Sequence, residues 1–436
     1  MLGYNLRLAW KSVRRHPVLS TLIVLGIALG VGVATTFITI YHVLARDPLP
    51  GKSDKIHYVR VNNWQGLTPA TEEGPPPKLA YRDMMGLMKS DIPVRQTATA
   101  AAQLVVRPEK GARPFRGRIR LAMSDFFPMF DVPFLYGSGW DRQADGKPEA
   151  VAVISAALND RLFGGENSVG RKLRVEDREF RILGVIDHWQ PPVRYYDIVD
   201  NPVGVEVEDI FLPFQWVGPM EIRNTGMQMS GGNEGNFDNF IDGLNASERN
   251  WVQLWVELPD EARRKEYESV VAAYISEQHK AGRFPRWQDF LVTSMLAFME
   301  EREVVPPQAR ALALISLLFL TVAAVNLIGL FLGKFLAKAS VVGVRRALGA
   351  SRRAIFLQHL VEAELVALIG GVAGLGLAVL TMALINRGVE DVPPLHINGL
   401  MVLAAVGLSL AAGAIAGVYP AWRICAIPPA RHLKNQ

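Results

Sequence analysis

Four long stretches of this chain contain no Asp, Glu, Lys or Arg, and they constrain its fold more than any other feature. They are residues 16–45, 311–333, 365–386 and 392–422. Each reaches the roughly 20 apolar residues that a helix needs to cross the hydrocarbon of a bilayer. Because an ordinary soluble enzyme does not carry such runs, the sequence predicts a membrane protein with four spanning helices.

The charges outside these stretches are divided unequally. Residues 45–308 contain 32 Lys and Arg against 38 Asp and Glu, whereas the rest of the chain contains 15 against 4. Basic residues accumulate in cytoplasmic segments next to membrane spans. We therefore expect both termini and residues 334–353 in the cytoplasm, and residues 45–308 on the outer face. The basic excess flanks the membrane, so it does not indicate nucleic-acid binding.

The predicted fold is four transmembrane α-helices with a large α+β extracytoplasmic domain inserted between helices 1 and 2. The segments expected from the charge pattern are a cytoplasmic amphipathic helix at 1–17, spans at 18–44, 309–337, 359–386 and 399–422, an outer domain at 45–308, a cytoplasmic loop at 338–358, a short outer loop at 387–398, and a cytoplasmic tail at 423–436. We place an inserted subdomain near 187–250, where Gly, Pro, Asn and aromatic residues replace any clear periodicity.

Local patterns predict several elements of the outer domain. Ala150–Ile154 alternates like a strand, and Ser155 is expected to cap a short helix that follows. Asp260–Gln278 and Trp287–Arg302 are predicted to be helices. At the N-terminus, Leu6, Trp10 and Val13 fall on one helical face and the cations on another. This pattern favours a helix on the cytoplasmic membrane surface, or a simple topology signal.

Every predicted span contains two glycines four residues apart. The pairs are Gly26 and Gly30, Gly329 and Gly333, Gly370 and Gly374, and Gly413 and Gly417. Such pairs let helix backbones approach closely in lipid, although glycine is also common in membrane helices. Asn326 is the most polar residue at the middle of the second span, and it is expected to make an interhelical hydrogen bond or to contribute to transmission of motion.

No catalytic or metal-binding residues are predicted. Gly165–Gly170 has the glycine spacing of a phosphate-binding loop but lacks the Lys-Ser/Thr pair that holds phosphate and magnesium. Met229–Asn233 superficially resembles an ABC signature motif, on the wrong side of the membrane. The eight histidines never occur as HxxxH, HxH or HExxH, and Cys425 is the single cysteine. We expect this chain to bind no cofactor and no metal.

The segment 341–353, between the second and third spans, reads VVGVRRALGASRR. It is short, basic and polar, with Gly343 and Gly349 as expected helix breakers. It resembles the cytoplasmic loop of MacB/FtsX-family ABC transporter permeases, typically E-I-G-x-R-R-A-L-G-A-S-R. The resemblance continues through IFLQHLVE at 355–362 and GVYPA at 417–421. In the outer domain, SDFFPMF at 124–130 resembles the periplasmic core domain of that family.

The resemblance implies a permease subunit without its own ATPase, coupled to a separate ABC ATPase that holds ATP and Mg. The residues expected to contact this ATPase are Gly343, Arg345, Arg346, Leu348, Gly349, Ser351 and Arg352. Lys334 and Lys338, nearer the membrane, are expected to matter less. The alternative to ATPase contact is that this loop is basic only because it sets the membrane topology. Tyr419 and Pro420, with the glycine pairs and Asn326, are expected to pack the spans or transmit motion.

The resemblance further implies a bacterial inner-membrane location and a second permease, the same chain or a paralogue. It also implies mechanotransmission, in which ATPase closure moves the outer domain to expel or relay substrate. A membrane-fusion adaptor and an outer-membrane channel are expected partners. The alternatives are an FtsX-like transducer that regulates a cell-envelope hydrolase and a Lol-type permease for lipoprotein release. Two departures stand out: Val342 replaces the Glu of the motif, and Trp140 replaces the end of a G-R-S-F turn.

Overall fold

The computed structural model describes residues 2–63, 74–108, 113–200, 207–223, 239–284, 289–388, 395 and 397–426. The chain divides into two compact units. The helical unit comprises Met1–Arg46 and Val305–Gln436, and the sheet unit comprises Asp47–Val304. The outer segment of the sequence therefore folds as a unit of its own.

The helices of the described part of the chain are α1 (Leu2–Arg15), α2 (Pro17–Ala45), α3 (Tyr81–Leu87), α4 (Phe126–Met129), α5 (Gln143–Gly146), α6 (Ala156–Phe163), α7 (Phe240–Ala246), α8 (Glu261–Lys280), α9 (Met295–Glu301), α10 (Pro307–Leu336), α11 (Ala339–Ala347), α12 (Arg352–Gly388) and α13 (Gly399–Cys425). The strands are β1 (Ile56–Val61), β2 (Leu79–Ala80), β3 (Arg95–Arg107), β4 (Phe115–Ala122), β5 (Phe134–Gly137), β6 (Val151–Ser155), β7 (Lys172–Val175), β8 (Arg178–Ile186), β9 (Ile210–Pro213), β10 (Asn250–Glu257) and β11 (Phe290–Ser294). A 3₁₀ turn covers Phe214–Val217.

Four helices of the helical unit, α2, α10, α12 and α13, are long and apolar enough to cross a membrane. Proline occupies the first turn of α2 and of α10, where its missing N–H leaves no helical bond unmade. Helix α2 packs on α10 and α12, and α13 packs on the same two helices. Their shared core includes Ile27, Leu320 and Phe331. The predicted fold class, four spans with the large domain inserted after the first, is confirmed.

The third spanning helix is longer than the charge-free run that predicted it. Helix α12 begins at Arg352, seven residues before the predicted start of the span. It contains Glu362 and Glu364, which also lie within the predicted span 359–386, so this span is not free of charged residues. Chain continuity explains the difference, because the residues between the loop and the charge-free run carry no helix breaker.

The sheet unit is built on one mixed sheet. Its strand order is β11-β1-β10-β3-β4-β9-β6-β8-β5, with β2 beside β10 and β7 beside β3 and β8. The pairs β4–β9 and β6–β8 are parallel, and the other pairs are antiparallel. As predicted, Ser155 caps the helix after β6, since its Oγ accepts the N–H of Leu158 at 3.2 Å.

Two expectations for the sheet unit are corrected. The segment near 187–250 contributes β9 to the middle of the main sheet, between β4 and β6, rather than only an inserted subdomain. All four β9 residues are buried, which explains the position. The helix predicted over 287–302 is replaced by β11 followed by α9. Pairing of β11 with the edge of β1 overrides its local helix preference.

Candidate functional site

The connection between the second and third spans folds as α11, a short helix. It passes through Gly343 without interruption, so the predicted break at this residue is wrong. One glycine costs a helix about 1 kcal/mol, which its packed neighbours can offset. Gly349 does end the helix: its φ of 97° is left-handed, and its N–H donates to the Arg346 carbonyl at 3.1 Å.

Helix α11 has one buried face and one exposed apolar face. Val342 is buried in the core of the helical unit. Aligned on Gly343, it stands where the motif has Ile, so the departure from Glu expected at Val342 belongs to Val341. On the other face, Val341, Val344 and Leu348 are 60%, 50% and 83% exposed. Their spacing places them in one row along the helix. We call these three residues the α11 stripe. In the isolated chain, the stripe is an exposed apolar surface.

The two adjacent arginines of α11 bind other helices of the same unit. The Arg345 guanidinium donates to the side-chain oxygen of Gln358 on α12 at 2.6 Å. The Arg346 guanidinium donates to the backbone oxygen of Cys425 at the end of α13 at 3.2 Å. Both arginines are half-buried. They therefore hold α11 against α12 and α13, a role that the sequence did not indicate.

The residues after α11 begin the third span. The Ser351 hydroxyl accepts the N–H of Ala354 at 3.2 Å and so caps α12. Arg352 and Arg353 are exposed and line a cleft of about 190 Å³ together with Phe356 and Trp422. The cleft combines cationic and aromatic groups. Its two arginines follow the α11 stripe closely in the sequence.

A buried ion cluster lies where α1, α10, α11 and α12 meet, and sequence reasoning missed it. We call it the Glu362 cluster; its members are Ser12, Lys334, Lys338, His359 and Glu362. The Glu362 carboxylate lies 3.1 Å from the Lys334 ammonium and 3.0 Å from that of Lys338. Ser12 donates to Glu362 and accepts from Lys338. The ring Nδ1 of His359 lies 3.8 Å from the carboxylate.

One sequence signal could have revealed this cluster. Glu362 stands between apolar residues, Leu360, Val361 and Ala363, ahead of a charge-free run. An ionisable residue in such a setting needs a charged partner, because an unpaired buried charge is very unfavourable. The charge pattern indicates the lysines at 334 and 338 only as topology signals and does not predict that they pair with Glu362.

Three of the four glycine pairs lie at close helix crossings. A Cβ added at Gly30 would lie 2.7 Å from Leu320 of α10, and one added at Gly370 would lie 2.8 Å from the Cβ of Ile27. The pair on α13 faces α12, where a Cβ on Gly417 would meet Ala363. Gly26, Gly374 and Gly413 make similar approaches. Close packing is thus the structural role of these pairs within the chain.

The pair on α10 differs. A Cβ added at Gly329 or Gly333 would meet no described atom within 4 Å. Asn326, one turn earlier on the same side, is exposed as well. Packing by this pair inside the chain, and an interhelical bond of Asn326 inside the chain, are therefore not found in the described residues. The three residues form an open, small and polar face on α10.

Tyr419 and Pro420, near the end of α13, were predicted to share one role but have different surroundings. Pro420 lies inside the helix and is buried, whereas Tyr419 is 48% exposed. The Tyr419 ring lies 6.3 Å from that of Trp422. Exposed Tyr and Trp at the end of a spanning helix are typical of a membrane–water interface.

The sheet unit contains a buried ion network of its own. Arg120 on β4 is fully buried and forms ion pairs with Asp197 and Glu208. Arg194 lies 3.0 Å from Glu208. Burial alone would raise the pKa of Asp197, but Arg120 and Arg194 together hold that pKa below its usual value. The network fixes residues of the segment 187–250 beside the sheet.

A cleft of about 660 Å³ lies elsewhere on the sheet unit. Phe127 and Trp140 line it, and their rings are 4.8 Å apart. Trp140, which replaces the last residue of the G-R-S-F turn, therefore packs against Phe127. The segment of Gly165–Gly170 forms turns with left-handed glycines, as expected for loops. Residues 229–233 lie outside the described residues. Within the described part of the chain, no group of metal-binding side chains is found.

Two family models match the chain. The MacB-like periplasmic core domain matches residues 20–274, and the FtsX-like permease C-terminal domain matches residues 313–429. The chain belongs to the MacB/FtsX-like family of ABC transporter permeases. The second match contains α11, α12, α13 and most of α10, so the candidate site lies in the permease domain of the family.

Curated relatives in this family are longer than the chain. A protein of Syntrophobacter fumaroxidans named "Macrolide export ATP-binding/permease protein MacB" is 22% identical over 341 residues, which cover 70% of this chain and 45% of that protein. The protein of the same name from Marinobacter nauticus is 23% identical over 311 residues, with 70% and 41% coverage. The chain thus spans less than half the length of these relatives.

A solved structure of the periplasmic region of MacB from Actinobacillus actinomycetemcomitans covers 58% of this chain and 95% of its own length. The identity is 14% and the TM-score is 0.36. The assignment to the MacB/FtsX-like family rests on the two family models. It places the chain among ABC transporter permeases, as multi-pass membrane proteins with an extracytoplasmic domain.

Proposed function

We propose that this chain is the permease subunit of an ABC-type export complex, and that it transmits the motion of a separate ATPase to its sheet unit. The ATPase holds ATP and Mg, and this chain binds neither. The helical unit lies in a bacterial inner membrane with both termini in the cytoplasm. The sheet unit lies in the periplasm and expels or relays the substrate.

The α11 stripe carries this proposal. Val341, Val344 and Leu348 form an exposed apolar row on a helix that is too short to span a membrane and that connects two spans. Apolar surface of this kind marks a protein contact. Arg352 and Arg353 follow the stripe in the chain and are exposed, so they can meet acidic groups of a partner. An apolar row followed by cations fits a groove on an ATPase with an acidic rim.

Chain connectivity supports transmission between the two units. Helix α2 ends at Ala45 and the sheet unit begins at Asp47. The sheet unit ends at Val304 and α10 begins at Pro307. Ten residues join α2 to β1 and five residues join α9 to α10, and Pro306 restricts the second connection. Short connections of this kind favour the passage of a movement of α2 or α10 into the sheet unit.

The open face of α10 supports a second permease in the complex. Gly329 and Gly333 leave room for a close approach by another helix, and Asn326 supplies a hydrogen-bonding group on the same face. In a two-fold dimer the same face would meet its own copy. A paralogue with a matching face would serve equally, and an adaptor and outer-membrane channel complete the proposed export route.

The size of the sheet unit favours export over regulation. It comprises Asp47–Val304 and most of it lies within the match to the MacB-like periplasmic core domain. An FtsX-like transducer of a cell-envelope hydrolase and a Lol-type lipoprotein permease remain the alternatives that the experiment below separates.

The test is reconstitution with candidate ABC ATPases from the same genome. Each ATPase is purified and mixed with the chain in lipid nanodiscs, and its binding and ATP hydrolysis are measured. Binding of one ATPase and stimulation of its hydrolysis support the proposal. Further stimulation by an exported compound favours export, whereas stimulation only by a lipoprotein or a hydrolase favours an alternative. Failure of every ATPase to bind would reject the proposed function.

A further inference from the structure

Glu362 is the single carboxylate of a buried cluster that joins four helices. It belongs to α12, Lys334 to the last turn of α10, Lys338 to the start of α11, and Ser12 to α1. Lys334 is fully buried, and Glu362 is 2% exposed. No other carboxylate in the described residues pairs with either lysine.

Glu362 is the group that balances the positive charges of this cluster. Two ammonium groups share one carboxylate, and the negative end of the α10 dipole lies beside Lys334. Without the carboxylate, two cations would lie side by side in a largely buried site, and both would be driven toward solvent. A buried ion pair fixes geometry in this way because neither partner can leave the other.

Lys338 connects this cluster to the surface of α11. It is the residue immediately before the helix, at the N-cap position. Its ammonium lies 3.0 Å from both oxygens of Glu362. The start of α11 is therefore held by α12 through one side chain, while the Ser12 hydroxyl holds α1 to the same two groups.

We propose that Glu362 is a positioning residue that fixes α11, and with it the α11 stripe, relative to α1, α10 and α12. The inference rests on the proposed function only in naming what α11 transmits, namely the movement of an ATPase. With the cluster intact, a push on α11 moves α10 and α12 together. Without it, α11 still presents its stripe and keeps the bonds of Arg345 and Arg346 to α12 and α13, but its first turn is no longer held and its position relative to α1 varies.

The experiment measures the placement of α11 in the full chain without any ATPase. In a Cys425→Ser background, spin labels are attached at Lys11→Cys and Ala347→Cys, both exposed positions on α1 and α11. Electron–electron distance distributions are recorded in nanodiscs for the unchanged cluster, for Glu362→Gln and for Lys338→Gln. The Lys338→Gln variant leaves Lys334 and Glu362 as a balanced pair, so it tests the link to α11 even where Glu362→Gln does not fold.

The matched control is Glu364→Gln, on the same helix. The Oε2 atom of Glu364 has no hydrogen-bond partner among the described residues. We expect one narrow distribution for the unchanged cluster and for Glu364→Gln, and a broad distribution for Glu362→Gln and Lys338→Gln. Narrow distributions at the original distance in Lys338→Gln, or in a folded Glu362→Gln, would overturn the proposal.

A second measurement separates this inference from the proposed function. Where an ATPase binds, we expect Lys338→Gln to bind it within about threefold of the unchanged chain but to lose its stimulation by about tenfold, because the stripe is intact and its attachment is not. Equal stimulation would overturn the positioning role. Failure of the unchanged chain to bind any ATPase would reject the proposed function, and the label distances would still decide the role of Glu362.

Discussion

The guanidinium of Arg345 donates to the side-chain oxygen of Gln358 at 2.6 Å, across the gap between α11 and α12. A residue expected from the sequence to face another protein therefore also braces its own helix. Charge reversal at Arg345 and Arg346 would remove both a bracing bond and any contact with an acidic partner. Loss of ATPase binding in that variant would not separate the two roles, so the sharper test lies on the exposed stripe.

Leu348→Asp is expected to weaken ATPase binding without disturbing the chain. Leu348 is 83% exposed, so the substitution removes no internal contact of note. Loss of one well-buried interface leucine is worth about 1.5–3 kcal/mol, or roughly tenfold to a hundredfold in affinity. Binding is measured by fluorescence titration of the nanodisc-embedded chain with the ATPase.

Ala347→Asp is the control for Leu348→Asp. It adds the same charge to an exposed neighbour on α11 that points about 100° away from Leu348. We expect it to change the affinity less than threefold. Equal losses in both variants would show that added charge, rather than the stripe, is responsible.

Lys334→Glu is expected to destabilise the helical unit severely, although the sequence predicts only a minor part for Lys334 in contact with the ATPase. Lys334 is fully buried beside Glu362, so the substitution places two carboxylates together without solvent. Breaking a buried ion pair costs about 3–5 kcal/mol. The measurement is thermal unfolding of the detergent-solubilised chain, with Lys11→Glu on the exposed face of α1 as the control. A melting temperature equal to that of the control would contradict the buried position of Lys334.

Gly370→Val and Gly329→Val are expected to act on different interfaces. At Gly370 the new side chain would meet Ile27 of α2, and overpacking costs about 1–3 kcal/mol. At Gly329 nothing in the described chain stands in the way. We expect the first variant to lower the melting temperature, and the second to keep it but to reduce self-association. Self-association is measured by analytical ultracentrifugation in detergent. A stable, fully dimeric Gly329→Val variant would show that this face of α10 is not part of the dimer interface.

Arg120→Met is expected to destabilise the sheet unit by about 3–5 kcal/mol, because it leaves the buried carboxylates of Asp197 and Glu208 with Arg194 but without the fully buried one of their two arginines. The folded pKa of Asp197 is lowered, so its stabilising contribution is present above its unfolded pKa and is lost as the pH falls through the folded pKa. The deficit of the variant should therefore shrink as the pH is lowered toward the acid range. Unfolding in urea at several pH values measures it.

Arg118→Met on the same strand is the control for Arg120→Met. Arg118 is 36% exposed and pairs with Asp209 at 3.2 Å, and such exposed pairs contribute about 0–1 kcal/mol. A deficit in Arg118→Met as large as that in Arg120→Met would show that burial of the network is not the cause.

Lys147→Cys is expected to react with a membrane-impermeant thiol reagent in intact cells. Lys147 is exposed on the sheet unit, which we place in the periplasm. The substitution is made in a Cys425→Ser background, with a cysteine at exposed Ala347 as the cytoplasmic comparison. Reaction of Ala347→Cys but not of Lys147→Cys before lysis would invert the topology.

The sequence by itself determined the number of spans, the insertion of the large domain after the first one, and the family. These features depend on long-range composition and on a contiguous motif. Hydrocarbon admits an uncharged stretch of about 20 residues whatever its neighbours are. The cap at Ser155 and the end of α11 at Gly349 were also predictable, because a cap and a left-handed glycine depend on a few adjacent residues.

Only the tertiary structure decided which faces those elements present. Strand β9 lies in the middle of the sheet because β4 and β6 supply its partners from distant parts of the chain. The same holds for Glu362, whose cations are 24 and 28 residues earlier and whose serine is 350 residues away. The spacing of residues along the chain does not predict contacts between such distant positions. Burial then places Lys334 and Lys338, which the sequence indicates only as topology signals, in an internal ion cluster, because a buried charge is unfavourable without a partner of opposite charge.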